Sequence, residues 1–168
     1  MTAKNYLNYL KDAFLFDSAK RYDVKGKKYF ETPRKYYITD VGLRNARLNF
    51  RQIEENHIME NIIFNELKVR GYSVDVGVVE TRELKNGKYK QKQLEIDFVA
   101  NKGAKKYYIQ SAYEMPTEEK LRQEKCSLIK VGDSFRKIIV VKENIRPQYD
   151  EDGIVTMGLF NFLLDPNS

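Results

Sequence analysis

The sequence predicts a mixed α/β fold, and three observations carry that expectation. Apolar residues recur at helical spacing in several separate segments, and alternating or continuous apolar strands lie between them. The 168 residues, 42% of them hydrophobic, suffice for one ordinary domain or for a small module fused to a domain core. The expected architecture is a mixed sheet flanked by helices, preceded in residues 1–50 by a helix and a hairpin.

Thr2 can cap a first helix, whose Tyr6, Leu7, Leu10 and Phe14 share one face. A strand is expected from Phe14-Leu15-Phe16 toward Arg21 and Tyr22, and a second at Tyr36-Tyr37-Ile38. Between them Asp23 to Lys28 form a glycine-containing, lysine-rich tip. Such a tip between two strands resembles the wing of a winged-helix module, and it is also what any solvated hairpin end looks like. Asp40-Val41-Gly42-Leu43 starts a short helix.

From Glu54 to Arg70 Met59, Ile62, Ile63 and Leu67 line a long helix that Gly71 stops. Tyr72, Val74, Val76 and Val78 alternate as a strand, Lys85-Asn86-Gly87-Lys88 is a turn, and strands follow at Leu94–Val99 and Tyr107–Ala112. Pro116 begins another helix, with Thr117 as its cap and Glu118 and Glu119 at its positive end. Ile138-Ile139-Val140-Val141 reads as a strand buried on both faces. One more strand and a short apolar helix fill 153–164, ended by Pro166.

The net charge of +6 and the pI near 9.2 admit phosphate-rich or acidic partners. That surplus is concentrated. Residues 20–35 and 82–106 each carry +5, which leaves the rest of the chain at about −4 by the same count. Both stretches read as loop-like, and Lys25, Lys27, Lys28, Lys88, Lys90 and Lys92 are the candidate nucleic-acid contacts. With Cys126 the only cysteine and His57 the only histidine, no internal disulfide, Cys/His zinc cluster or multi-histidine site can form. A Ser-His-Asp or Cys-His mechanism would have to use His57, which reads as a solvated or capping residue near a helix start. No apolar run approaches the roughly 18 residues of a membrane span, and the N-terminus lacks a signal pattern. With a lone thiol, this predicts a cytoplasmic protein without a membrane partner.

One constellation can carry chemistry. Glu60 lies on the long helix, Asp97 on the Glu95-Ile96-Asp97-Phe98 strand, and Gln110 on the next. Strict alternation puts Asp97 opposite to Leu94, Ile96 and Phe98, and puts Gln110 and Ala112 on one face. Two carboxylates and an amide oxygen from packed elements can converge on a hard cation such as Mg²⁺. Glu66 falls inside the apolar stripe, as a second helix ligand or as half of a structural pair.

This arrangement resembles the restriction-endonuclease fold, in which Glu, Asp and Glu-x-Lys form the PD-(D/E)xK site. More narrowly, YLNYL, RYDVKGKK, YYITDVGLRNA, ENIIFNELKVRGY, EIDFVA and YYIQ resemble the C-terminal region of prokaryotic AAA+ type ATPases. There a winged-helix segment and a nuclease-like domain of unknown function follow the ATP-binding core. The resemblance implies a winged remnant at 1–50 and a nuclease-like domain at 51–168. It gives Glu60 and Asp97 the acid positions and Gln110 the second strand ligand, and it sets Ala112 where the lysine should be. Losing a charged ligand and the ammonium, each typically worth about 10²-fold or more in rate, implies a catalytically silent site that requires no cofactor.

No phosphate-binding G-x-x-x-x-G-K-[ST] segment occurs, so the resemblance implies a C-terminal fragment whose partner is the ATPase core of the full-length protein. Three expectations stand. The first is a non-enzymatic accessory domain binding nucleic acid or a partner protein. The second is a Mg²⁺-dependent DNA endonuclease using Glu60, Asp97 and Gln110 with a lysine relocated from Lys106 or Lys92. The third is a purely structural fragment.

Overall fold

The computed structural model describes residues 2–51, 53–85, 87–114 and 117–165. Pro116, Pro166 and Asn86, expected as a helix start, a terminator and a turn residue, lie outside the described residues. Among the described residues the elements in order are α1 (Ala3–Asp12), β1 (Phe16–Asp23), β2 (Lys28–Ile38), α2 (Val41–Arg47), α3 (Glu55–Val69), β3 (Ser73–Lys85), β4 (Lys88–Lys102), β5 (Lys105–Ala112), α4 (Glu118–Ile129), β6 (Arg136–Val141), β7 (Gln148–Tyr149), β8 (Ile154–Gly158) and α5 (Leu159–Leu164). The strands form one mixed sheet in the order β2-β1-β3-β4-β5-β6-β8-β7. The fold is therefore mixed α/β, an eight-stranded sheet flanked by helices.

Helix positions follow the sequence signals. Asp40 caps α2 by accepting from the Leu43 N–H at 2.9 Å, and Thr117 caps α4 by accepting from the Lys120 N–H at 3.3 Å. Gly71 ends α3 at φ +81°, a left-handed conformation that a side chain would resist. Thr2 precedes α1 but makes no side-chain cap. Phe14 takes φ 55° in the turn after α1, so β1 begins two residues later than its aromatic run suggests.

Two apolar layers lie on the sheet. On one face Met59, Ile63, Phe64 and Leu67 of α3 and Phe162 of α5 pack on Val74, Val76, Phe98, Ile109, Ile138 and Val140. On the other, Leu128 of α4 packs with Val79, Ile96, Val99, Tyr108, Ile139 and Val141. β6 thus feeds both layers, as its continuous apolar run requires.

The hairpin read as a wing is built into this sheet. β1 pairs antiparallel with β2 and parallel with β3 through Arg21, Tyr22 and Asp23, while Ala19 and Tyr37 join the α3-side core. Its tip, with Lys25, Lys27 and Lys28, is exposed as a wing tip would be.

Two departures from the expected strands matter for the site. First, the β3–β4 register shifts between the pairs Asp75–Val99 and Gly77–Ile96, so Asp97 and Phe98 together oppose Val76. This bulge turns Phe98 to the α3 side while Ile96 stays on the α4 side, correcting the shared face expected from strict alternation. Gly77 permits it, because a Cβ there would lie 2.9 Å from side-chain carbons of both Ile96 and Val99. Second, β3 and β4 run far past their other neighbours. β1 reaches β3 only as far as Val78, and β5 reaches β4 only from Phe98 onward, so residues 79–85 and 88–94 form a free two-stranded ribbon. The stretch expected as loop is strand; its exposed Lys/Gln alternation carries no apolar period to reveal it.

Candidate functional site

Three aromatic rings support the site. Tyr37 of β2 stacks on Phe64 of α3 with centroids 4.0 Å apart, and Phe98 of β4 lies 5.9 Å from Tyr37 and 6.4 Å from Phe64. Such pairs add about 0.5–1.5 kcal/mol each beyond burial, and they fix the spacing of β2, α3 and β4. Asn61 adds a second tie, accepting from the Ile38 N–H at 2.9 Å and donating to its carbonyl at 2.7 Å.

Above these rings the Lys35 ammonium meets three carboxylates: Glu95 Oε1 at 2.8 Å, Glu60 Oε1 at 2.9 Å and Asp97 Oδ1 at 3.3 Å. Three N–H donors find three acceptors. The carboxylates are further occupied. Tyr37 donates its hydroxyl to Glu60 Oε1 at 2.7 Å, Arg21 donates to Glu95 Oε2 at 2.6 Å, and the Ser111 N–H donates to Asp97 Oδ2 at 2.9 Å. A cleft of about 360 Å³ opens beside Lys35 and Glu60, lined also by Tyr37, Arg44, His57 and Asn61.

Glu60 and Asp97 therefore do come together. Gln110 approaches in a different role: its amide oxygen accepts from the backbone N–H of Asp97 at 3.4 Å. Ala112 lies in the apolar layer under α4. Neither lysine expected to be relocated reaches the acids. Lys106 lies over the rings of Tyr22, Tyr108 and Phe135, and Lys92 pairs with Glu83 at 3.6 Å. Lys35 takes that place instead. Glu66 accepts from Arg70 Nε at 2.8 Å, and Arg70 in turn donates to the Phe162 carbonyl, so this acid helps anchor α5. His57 is exposed and contacts Glu54 across one helical turn.

Metal binding does not fit this donor set well. Among the described residues, no group of three His, Cys, Asp or Glu side chains is placed to hold an ion. A divalent cation at these acids would have to displace Lys35.

Burial, then repulsion from Glu60, pushes the Asp97 carboxyl up to about 7, despite the opposing ammonium. Burial opposes the charge on Lys35, but Asp97 and Glu60 outweigh it and hold its pKa above the usual lysine value. An unfolded Asp97 titrates near 3.8, so between about pH 4 and pH 7 the native state keeps a proton that the unfolded state has lost. Stability from this group falls as pH rises through that window, by at most about 1.4 kcal/mol per pH unit. Asp97→Asn should flatten this segment of a melting-temperature profile relative to wild type. Parallel profiles for the two proteins would show that Asp97 does not titrate there.

The basic residues come together as well. The β1–β2 tip lies beside the root of the β3–β4 ribbon, across a groove of about 400 Å³ lined by Asp23, Lys25 and Gly26 on one side and Glu80, Thr81, Arg82 and Gln91 on the other. Lys25, Lys27, Lys28, Arg82, Lys88, Lys90 and Lys92 are all exposed at this end of the sheet, with Asp23, Glu80 and Glu83 as the acids among them. Asp23 Oδ1 accepts from the Lys25 and Gly26 N–H groups, and its Oδ2 lies 4.0 Å from the Lys28 ammonium.

Comparison with known proteins adds little chemistry. Residues 1–54 match a family described as a domain of unknown function (DUF8612), a span that ends at the start of α3. An uncharacterized protein of Haemophilus influenzae is 36% identical over 163 residues, covering 97% of this chain and 37% of that protein. The chain thus spans little more than a third of the length of the curated relative it matches. No solved structure matches it. Among the described residues no helix is long and apolar enough to cross a membrane.

Proposed function

We propose that this chain is a non-enzymatic, nucleic-acid-binding accessory domain on a degenerate restriction-endonuclease-like scaffold. It would act in the cytoplasm beside the ATPase core of a longer AAA+ type protein, with residues 1–50 as the winged-helix remnant. The observation that carries the binding reading is the meeting of the two basic stretches. Separated by more than fifty residues in sequence, Lys25, Lys27 and Lys28 on the hairpin tip and Arg82, Lys88, Lys90 and Lys92 on a ribbon slim enough for a nucleic-acid groove share one end of the sheet. The non-enzymatic reading is supported by Lys35, whose ammonium fills the space among Glu60, Glu95 and Asp97.

A Mg²⁺-dependent endonuclease is the second reading, favoured by one fact: a lysine does stand among the acids, as a relocated catalytic lysine would. The engagement of the carboxylates by Lys35, Arg21, Tyr37 and Ser111 weighs against it.

Fluorescence anisotropy with a labelled DNA duplex tests the binding. The expected result is an affinity that falls steeply with salt, with a log–log slope of roughly −3 to −6 for the cations at this end. Absence of binding at low salt would point to a protein partner. Supercoiled plasmid incubated with Mg²⁺ or Mn²⁺ should stay intact; cleavage abolished by Asp97→Ala would establish the endonuclease instead.

A further inference from the structure

The free ribbon has two chemically different faces. Residues directly opposed across an antiparallel ladder lie on the same side. One side therefore carries Lys88 with the pairs Glu83–Lys90 and Thr81–Lys92, and the other carries Leu84–Tyr89, Arg82–Gln91 and Glu80–Gln93. Lysines at every second position of β4 form a row that matches a phosphate backbone in charge. On the opposite side, next to the turn, Tyr89 is 75% exposed and Leu84 60% exposed. These two side chains lie at the far end of a projection that leaves the domain core at Val79 and Leu94. They form an aromatic and apolar tip on an otherwise charged element.

A continuous duplex offers phosphates to such a ribbon but keeps its base faces stacked within. A fork offers both a backbone and unpaired base faces, and tyrosine stacks on any base irrespective of sequence. We propose that the ribbon recognises forked nucleic acid, with Lys88, Lys90 and Lys92 along the phosphates of one strand and Tyr89 stacked on an unpaired base at the fork. The inference rests on the nucleic-acid reading above and adds its substrate class.

Competition binding separates the two. A labelled forked duplex is bound to the full chain and displaced, at equal nucleotide concentration, by unlabelled fork or by relaxed closed-circular duplex, which has neither ends nor arms. The fork should compete about tenfold better, the worth of one base–aromatic stack. Tyr89→Phe should keep that preference, whereas Tyr89→Leu, which retains an apolar cross-strand partner for Leu84, should abolish it without weakening duplex binding. Equal competition by the two DNAs, or a preference that survives Tyr89→Leu, overturns the fork proposal and leaves duplex binding standing. Failure of the labelled fork to bind at low salt overturns the nucleic-acid reading and the proposal with it.

Discussion

Replacing Lys35 by Met is expected to destabilise the fold by about 2 kcal/mol at neutral or higher pH, below the scale for a fully buried ion pair because Lys35, Glu60 and Glu95 are partly open to solvent. The substitution keeps much of the aliphatic stem and deletes the charge. Glu60, Glu95 and Asp97 are then left facing one another from α3 and β4, with Arg21 reaching only Glu95. Tyr37 can donate a hydrogen bond to Glu60 but cannot neutralise it. The loss should shrink on acidification through the Asp97 window, because a protonated Asp97 removes one of the three repelling charges. Urea unfolding at about pH 8 and about pH 5 measures both effects. A Lys35→Met protein within about 0.5 kcal/mol of wild type at the higher pH would mean that the ammonium is not what holds the cluster.

That dependence on Lys35 shows where sequence reasoning stops. The helix acid and strand acid, Glu60 and Asp97, could be picked out because the apolar pattern around each is regular. Lys35, Arg21 and Tyr37 could not, since they lie on a hairpin that reads as a separate module and reach the acids only because β1 pairs with β3. Glu95 shared the fate of a charged residue at the root of an exposed strand, where a solvated role is the default. The bulge at Asp97 and Phe98 is equally invisible to a period of two, though a glycine in the facing strand was an available hint. By contrast the continuous run Ile138–Val141 announced its burial on both faces, and Gly71 its helix stop. What sequence could say about charge was its amount and its segments; that the hairpin tip of one and the ribbon of the other share one end of the sheet depends on register.

Combined reversal of Lys88, Lys90 and Lys92 to Glu is expected to weaken duplex and fork binding by roughly 10²- to 10³-fold at low salt. Each lysine that neutralises a phosphate contributes about 0.9 to the salt slope, so losing three should flatten it by nearly three, and the new carboxylates add repulsion. All three side chains are exposed, and Glu83 pairs with Lys92 at 3.6 Å. An exposed pair of this kind is worth at most about 1 kcal/mol, so the fold should survive the change. Reversing Lys25, Lys27 and Lys28 tests whether the hairpin tip belongs to the same surface. The tip shares its groove with Arg82 and Gln91, on the ribbon face opposite Lys88, Lys90 and Lys92, so a nucleic acid that embraces the ribbon meets both sets, and reversing both should lower the slope by more than either alone. Lys120→Glu, Arg122→Glu and Lys130→Glu together, on α4 and its C-cap, serve as the charge-matched comparison away from that groove. Equal losses from the three α4 reversals and from the ribbon lysines would mean that net charge alone governs binding. Loss confined to the ribbon variant would restrict the surface to β3–β4 and remove the hairpin tip from it.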